Sequence, residues 1–243
     1  MRVIGALRIK NEARWIRTVL RSIAPLCERT YVLDDHSTDG TPELCAVEPG
    51  VSLIHSGFDG IHEARDKDFL LAEIAEDYRD DGQTWVLLID GDEILEPSGP
   101  QKIRELLARP DVDRYAWGLR ILYLWDRTDQ VRNDGVYGRF YRPSLFRFTG
   151  AETFMRTNFG GNFHCSSVPA RWVGVNRNCD AALYHTGYML REDRIRKYEW
   201  YRSIDPNNSV EDGYRHVVQG DIPEVPAGMT LRHAGPLELR PLA

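Results

Sequence analysis

Along the first 110 residues the spacing of apolar positions changes several times, and each change marks an element. Residues 3–7 form a short apolar run, the pattern of a strand buried on both faces. From Asn11 the period lengthens: Ile16, Val19, Leu20 and Ile23 recur at helical intervals until Pro25 stops them. Residues 30–33 are β-prone and close on Asp34-Asp35. Ser37-Thr38-Asp39-Gly40-Thr41-Pro42 carries turn and N-cap chemistry, which predicts a short helix through Leu44 and Val47. Residues 51–54 predict a third strand. Residues 64–78 predict an amphipathic helix bearing Phe69, Leu70, Ala72, Ile74 and Ala75. Residues 85–89 are the most apolar strand of the chain and run straight into Asp90-Gly91-Asp92-Glu93. Ile103, Leu106 and Leu107 mark one more helix.

Strand and helix therefore alternate four times, which predicts an α/β fold with a mainly parallel sheet flanked by helices. In such sheets ligands bind outside the carboxyl ends of the strands. Three of the four strands end in chemically capable residues: Arg8 and Lys10, Asp34 and Asp35, Asp90 and Asp92. They should meet at one edge of the sheet. Beyond about residue 113 the texture changes. Residues 115–124 are aromatic and β-prone, and 135–141 and 144–148 read as short strands. Residues 150–162, rich in Gly, Thr and Asn, are expected to form a mobile loop. A last helix is predicted over 191–204. The tail after Asp205 holds Pro206, Pro223, Pro226, Pro236 and Pro241, and should cross the surface without regular structure.

Composition narrows the partners. The 243 residues are 42% hydrophobic and 10% aromatic, enough to bury a core. A formal net charge of −6 gives no electrostatic footprint for nucleic acid. The basic cluster around 191–202 is interleaved with Glu192, Asp193 and Glu199, as on a solvated helix face. The four cysteines, Cys27, Cys45, Cys165 and Cys179, have neither close pairing nor metal-type spacing, so reduced thiols and a cytoplasmic setting are expected. The apolar run after Met1 is too short for a signal peptide, and none approaches the ~20 residues of a membrane span.

Asp90-Gly91-Asp92 is the strongest chemical signal. Two carboxylates one residue apart at a buried strand's mouth offer hard oxygen ligands to one Mn²⁺ or Mg²⁺, leaving positions for diphosphate oxygens. Asp-Gly is also a common turn dipeptide, but two carboxylates at a strand mouth repel and need compensation. At the second strand end, Asp35 can accept from a base N–H or a ribose hydroxyl, while Ser37, Thr38 or Asp39 caps the helix that follows.

Taken together, Lys10-Asn11-Glu12, Leu33-Asp34-Asp35-His36-Ser37-Thr38-Asp39-Gly40-Thr41 and Leu88-Ile89-Asp90-Gly91-Asp92-Glu93-Ile94-Leu95-Glu96-Pro97 resemble the family 2 glycosyltransferases of GT-A fold, in order and spacing. The match is close over about residues 3–110. Arg142-Pro143-Ser144-Leu145-Phe146-Arg147, His164 and His185 resemble the branch that includes lipopolysaccharide-core transferases. The resemblance implies an enzyme that transfers a sugar, with inversion, from a nucleoside diphosphate sugar to an acceptor hydroxyl, the ion acting as Lewis acid on the leaving diphosphate. It implies a nucleotide-sugar-binding half at 1–97, an acceptor-side half of the same domain at 98–205 and a Pro-rich tail at 206–243. Arg8 and Asp35 fall where the family touches the base, Lys67 where it faces the nucleoside or diphosphate. Asp90 falls near ribose and metal, and Asp92 at the principal metal ligand.

The sequence departs from that branch where Cys165, in place of a glutamate, follows His164. The general base is then open between Glu152 and His164. His185, after an apolar stretch, is either a third metal ligand or a core histidine. Arg191, Arg194 and Lys197 follow at intervals of three, so Arg194 and Lys197 are expected to share one face with Arg191 and are candidates to neutralise the leaving diphosphate. The aromatic residues 117, 123, 125, 137, 140 and 141 could supply core or a homo-oligomer interface, and the acceptor itself is not named by any motif. Three rivals stay open: a nucleotidyltransferase, disfavoured because no glycine follows Arg8 before Glu12; a phosphoryl-transfer or receiver-type protein built on Asp34-Asp35, which leaves Asp90-Gly91-Asp92 unexplained; and a nucleotide-binding homologue without catalysis.

Overall fold

The computed structural model describes residues 1–78, 82–156, 164–206 and 212–242. The first half runs β1 (Arg2–Ile9), α1 (Ile16–Ile23), β2 (Arg29–Asp34), α2 (Thr41–Ala46), β3 (Val51–His55), α3 (Glu63–Asp77) and β4 (Thr84–Asp90). It continues with β5 (Glu93–Leu95) and α4 (Gly99–Leu107). The second half contributes β6 (Ala116–Trp125), β7 (Arg127–Arg132), β8 (Tyr141–Arg147), β9 (Phe154–Arg156), β10 (Cys165–Pro169), β11 (Asn176–His185), α5 (Arg191–Ile204) and β12 (Leu239–Pro241).

β3, β2, β1 and β4 lie side by side and parallel, as the alternation predicts. β8 then adds antiparallel to β4, and β6 antiparallel to β8. β11 joins β6 in parallel and carries β5 antiparallel on its other side, while β7 and β12 extend the far edge. The sheet is mixed and continuous across both halves. Its two faces build separate cores. Val19, Leu20 and Ile23 of α1 and Ile103, Leu106 and Leu107 of α4 pack on Leu7, Leu87, Leu119 and Leu183. Leu70, Leu71 and Ile74 of α3 pack on the opposite face with Ile4, Leu33, Val86 and Phe146.

Three expectations are corrected. Residues 135–139 form turns, with β8 beginning only at Tyr141. Gly135 has φ +51°, and a Cβ on Gly138 would lie 2.2 Å from the Asn133 carbonyl oxygen, so the backbone there is folded back on itself. The tail is not wholly irregular, because Leu239–Pro241 pairs with β7. The predicted loop at 150–162 ends early in β9, and its 157–162 portion lies outside the described residues. Among the described residues no helix is long and apolar enough to cross a membrane, and all four cysteines are free.

Candidate functional site

β1, β2 and β4 end at the same edge, and the pairing fixes which residues meet. Arg8 lies opposite Asp90 across β1 and β4, and Ile9 opposite Asp34 across β1 and β2. β8 runs back along β4 in a register that, extended past Leu87–Leu145, sets Arg142 against Asp90. His185 ends β11 opposite Glu93 of β5 and Tyr123 of β6. A cleft of about 360 Å³ opens there, lined by Arg8, Glu12, Asp90, Asp92, His185 and Lys197 among others.

Local chemistry shapes its floor. Asn11 and His36 sit in the left-handed region at φ 56° and 57°. The Asn11 amide donates to Ser37 Oγ at 2.8 Å, Ala13 N–H to Asp39 at 3.0 Å and Glu12 N–H to Thr41 Oγ1 at 2.8 Å. The Ser-Thr-Asp group therefore ties the loop after β1 to the loop after β2, and caps α2 only through the bond from Thr41 N–H to Asp39. Gly91 allows a close approach by protein: a Cβ there would lie 2.9 Å from both Glu12 Cγ and Ile9 Cγ2.

The acidic turn is compensated by cations. Arg142 donates to Asp90 Oδ2 at 2.6 Å and also to Glu93, whose Oε2 accepts the Asp90 N–H at 2.9 Å. Burial opposes ionisation of Asp90, but Arg142 and Lys67 outweigh it and lower its pKa. Asp92 is buried at 4% exposure, with Lys197 Nζ at 2.6 Å and His185 Nε2 at 3.8 Å from its Oδ2. Burial resists its charge too, yet Lys197, by charge and hydrogen bond, and Arg142 hold its carboxyl well below the usual range. Thr186 donates both N–H and Oγ1–H to the Asp92 carbonyl at 2.8 Å, clamping it to the end of β11. Burial, reinforced by Asp90 and Asp92 against the opposing Arg142, pushes Glu93 up to about 8. Burial and Asp92 do the same to Glu12, also to about 8.

The other anticipated residues divide. Arg8 bonds Asp35 at 2.7 Å and Asp66 at 2.8 Å while facing the cleft. Asp35 is buried beneath it, with Lys10 Nζ 3.6 Å away. Lys67 is buried and paired with the cleft residue Glu63 at 2.8 Å; burial lowers its pKa, but Glu63, Cys165 and Asp90 raise it overall. His185 is a buried imidazole packed between Tyr123 at 4.9 Å and Tyr188 at 4.7 Å. Burial, with Lys197, lowers its pKa against Asp92, which keeps it neutral and able to ligate. His164 lines a neighbouring aromatic pocket instead, with Tyr214 Oη at 3.0 Å from Nε2.

Two candidates lie elsewhere. Glu152 is buried in its own loop, accepting from Thr149 N–H and Oγ1–H at 2.7 Å and Ala151 N–H at 3.0 Å, and is spent on holding that loop. Arg194 is 1% exposed and bonds both oxygens of Asp221, Asp126 and the carbonyls of Tyr188 and Met189. It fixes the pose of α5. Lys197, one turn on, is delivered by that helix to the cleft, together with Arg196, Trp200 and Tyr201. Arg142, Glu12, Glu93 and Gly187 were not assigned from the sequence. Arg142 had a legible signal, since a strand antiparallel to β4 must begin beside Asp90.

A donor set of two carboxylates and one imidazole suits Mn²⁺ or Mg²⁺. His185 Nδ1 is buried with no hydrogen-bond partner, leaving the ring held by packing with Nε2 toward Asp92. No group of three or more His, Cys, Asp or Glu side chains among the described residues forms a ready-made metal site. An ion here would lean on oxygens from a bound diphosphate, as Mg²⁺ commonly does.

The family 2 glycosyl transferase sequence model matches residues 8–172, from the end of β1 through β2, β4 and β8. The chain belongs to glycosyl transferase family 2. Its mixed, mainly parallel sheet flanked by helices is the GT-A fold of that family. Two uncharacterized proteins, of Mycobacterium tuberculosis and Mycobacterium bovis, are each 26% identical over 221 residues, 85% of this chain and 51% of theirs. The chain thus spans about half the length of the curated relatives it matches. Among solved structures, Staphylococcus aureus TarS is similar over 90% of this chain and 42% of its own, at 14% identity and TM-score 0.49. Glucosyl-3-phosphoglycerate synthase of M. tuberculosis, crystallised with Mn²⁺, UDP-glucose and phosphoglyceric acid, is similar over 50% of this chain and 44% of its own. The identity there is 20% and the TM-score 0.35.

Proposed function

We propose that this glycosyltransferase moves a sugar, with inversion, from a nucleoside diphosphate sugar to an acceptor hydroxyl in a divalent-metal-dependent reaction. The observation that carries the reading is the meeting of Asp90, Asp92 and His185 beside Arg8 at the carboxyl ends of β4, β1 and β11, within a family 2 domain. Residues 1–97 are read as the nucleotide-sugar half, 98–205 as the acceptor half and 206–243 as a bracing tail.

Arg8, with Asp35 held beneath it, faces the base and ribose, and the Glu63–Lys67 pair borders the nucleoside side of the cleft. Asp90, Asp92 and His185 would hold Mn²⁺ or Mg²⁺, which when bound supplies charge neutralisation for the leaving diphosphate. The acceptor enters from the aromatic pocket, which shares Tyr201 with the donor cleft and holds His164. Tyr214 Oη–H donates to Asp205 Oδ2 at 2.7 Å, and His164 Nε2 lies 3.0 Å from the same Tyr214 oxygen. The His164 imidazole is proposed to take the acceptor proton.

The test is release of nucleoside diphosphate from a panel of UDP-, GDP- and dTDP-sugars with Mn²⁺. One donor should turn over, slowly to water or faster to an acceptor, and Asp92→Asn should abolish the turnover while the fold survives. Full activity in Asp92→Asn, or no turnover of any donor, defeats the reading.

A further inference from the structure

Lys197 occupies the carboxylate oxygen that the ion would need. Its Nζ is 2.6 Å from Asp92 Oδ2, the same oxygen that lies 3.8 Å from His185 Nε2. The contact is built in. The Asp92 carbonyl is clamped by Thr186, and α5 is anchored one turn before Lys197 by Arg194. Gly187 makes the room: a Cβ there would lie 2.0 Å from Asp92 Oδ2 and 2.3 Å from Lys197 Nζ. Glu12 and the Tyr188 ring, 5.6 Å from Nζ, complete the surroundings of the ammonium.

We propose that Lys197 is a resident stand-in for the divalent ion, an inference that rests on the metal reading above. While the cleft is empty, the ammonium neutralises a buried carboxylate that would otherwise be costly to hold charged. A divalent ion and an ammonium on one carboxylate oxygen repel each other, so the ion enters only when Lys197 leaves. The exchange is a swing of a four-carbon stem, since Arg194 holds the helix still. No proton moves. The new partner for the ammonium is the donor diphosphate, which arrives with the ion and supplies the anionic oxygens Asp92 gave up. Metal and donor therefore bind together better than either binds alone.

The test is Mn²⁺ binding without nucleotide, followed by the electron paramagnetic resonance signal of free Mn²⁺, in wild type, Lys197→Met, Lys197→Arg and Asp92→Asn. Lys197→Met should bind Mn²⁺ at least tenfold more tightly than wild type, Lys197→Arg about as wild type, and Asp92→Asn should bind none at the site. A residue with a merely structural role would not tighten metal binding when removed. Asp92-dependent binding that is unchanged or weaker in Lys197→Met overturns the stand-in role and leaves the metal reading intact. No Asp92-dependent binding in Lys197→Met without nucleotide overturns the stand-in role, and none in either protein even with nucleoside diphosphate added overturns both. If Lys197→Met does not fold, a crystal of wild type with Mn²⁺ and nucleoside diphosphate decides. Lys197 should then be off Asp92 and on phosphate oxygen, and an ammonium still on Asp92 beside a bound ion overturns the proposal.

Discussion

Adding one methyl group at Gly187 tests how tightly the metal end of the cleft is built. The new Cβ would begin 2.0 Å from Asp92 Oδ2 and 2.3 Å from Lys197 Nζ, where ordinary contact starts at 3.4 Å. Both groups must retreat by more than an ångström. Lys197 can do so, but Asp92 cannot shift its backbone, because Thr186 grips its carbonyl with two bonds of 2.8 Å. The carboxylate must rotate away from His185. Gly187 does not have a left-handed φ, so the backbone tolerates alanine and the cost is overpacking alone, about 1–3 kcal/mol. At roughly 2–4 °C per kcal/mol for a chain of this size, the unfolding midpoint should fall by about 2–12 °C. Nucleotide-dependent Mn²⁺ binding should fall much further, by a factor of ten or more, because the ligand oxygen has moved. Differential scanning fluorimetry and calorimetric Mn²⁺ titration measure the two effects on one sample. A Gly187→Ala protein that folds and binds Mn²⁺ with nucleotide as tightly as wild type refutes the packing argument.

Arg194→Met should lower stability by about 3–5 kcal/mol, because Asp221 is left buried without its partner, while donor KM in the surviving folded protein stays within a few-fold of wild type. A donor KM raised well beyond that range would return Arg194 to the diphosphate. His164→Asn should reduce kcat by about 10²–10⁴ with donor KM unchanged, and a kcat near wild type removes it as the base. In metal-free protein, Glu93 and Glu12 have folded pKa values near 8, above the unfolded carboxylate value. The folded state then holds more protons than the unfolded one, so their contribution is fully present below about pH 4.5 and is lost as pH rises through about 8. Each group gives a slope of up to about 1.4 kcal/mol per pH unit. Urea titrations between pH 5 and 9 should show Glu93→Gln flattening that decline. An unchanged slope means Glu93 is ionised in the fold.

The parallel half was legible because β1, β2 and β4 are buried on both faces and read as unbroken apolar runs that end in charge. Asp90 and Asp92 were singled out by that strand end together with the family resemblance of the motif around them. In the second half β6, β8 and α5 were legible, but β7 and β11 were not, because those strands are polar where they are exposed. β7 reads Arg-Thr-Asp-Gln-Val-Arg, and β11 begins Asn-Arg-Asn-Cys-Asp before turning apolar. β11 also pairs with β6 across some sixty residues of chain, a contact that no local period announces. On α5, residues three apart point about 60° from one another. One of them locks onto Asp221 and the other reaches Asp92, and spacing cannot say which. Glu152 was misread for a similar reason, since a carboxylate that staples its own loop looks in sequence like one that faces a cleft.

The acidic strand end is proposed to bind a nucleoside diphosphate through a divalent ion. Thermal unfolding against UDP, GDP, dTDP, CDP and ADP, each with and without Mn²⁺, tests it most directly. A ligand at about a hundred times its Kd adds about 2.7 kcal/mol, or roughly 5–11 °C on this chain. Such a shift is expected with one diphosphate, enlarged by Mn²⁺, with the enlargement lost in Asp92→Asn. No shift with any of the five, or one indifferent to both Mn²⁺ and Asp92, contradicts it.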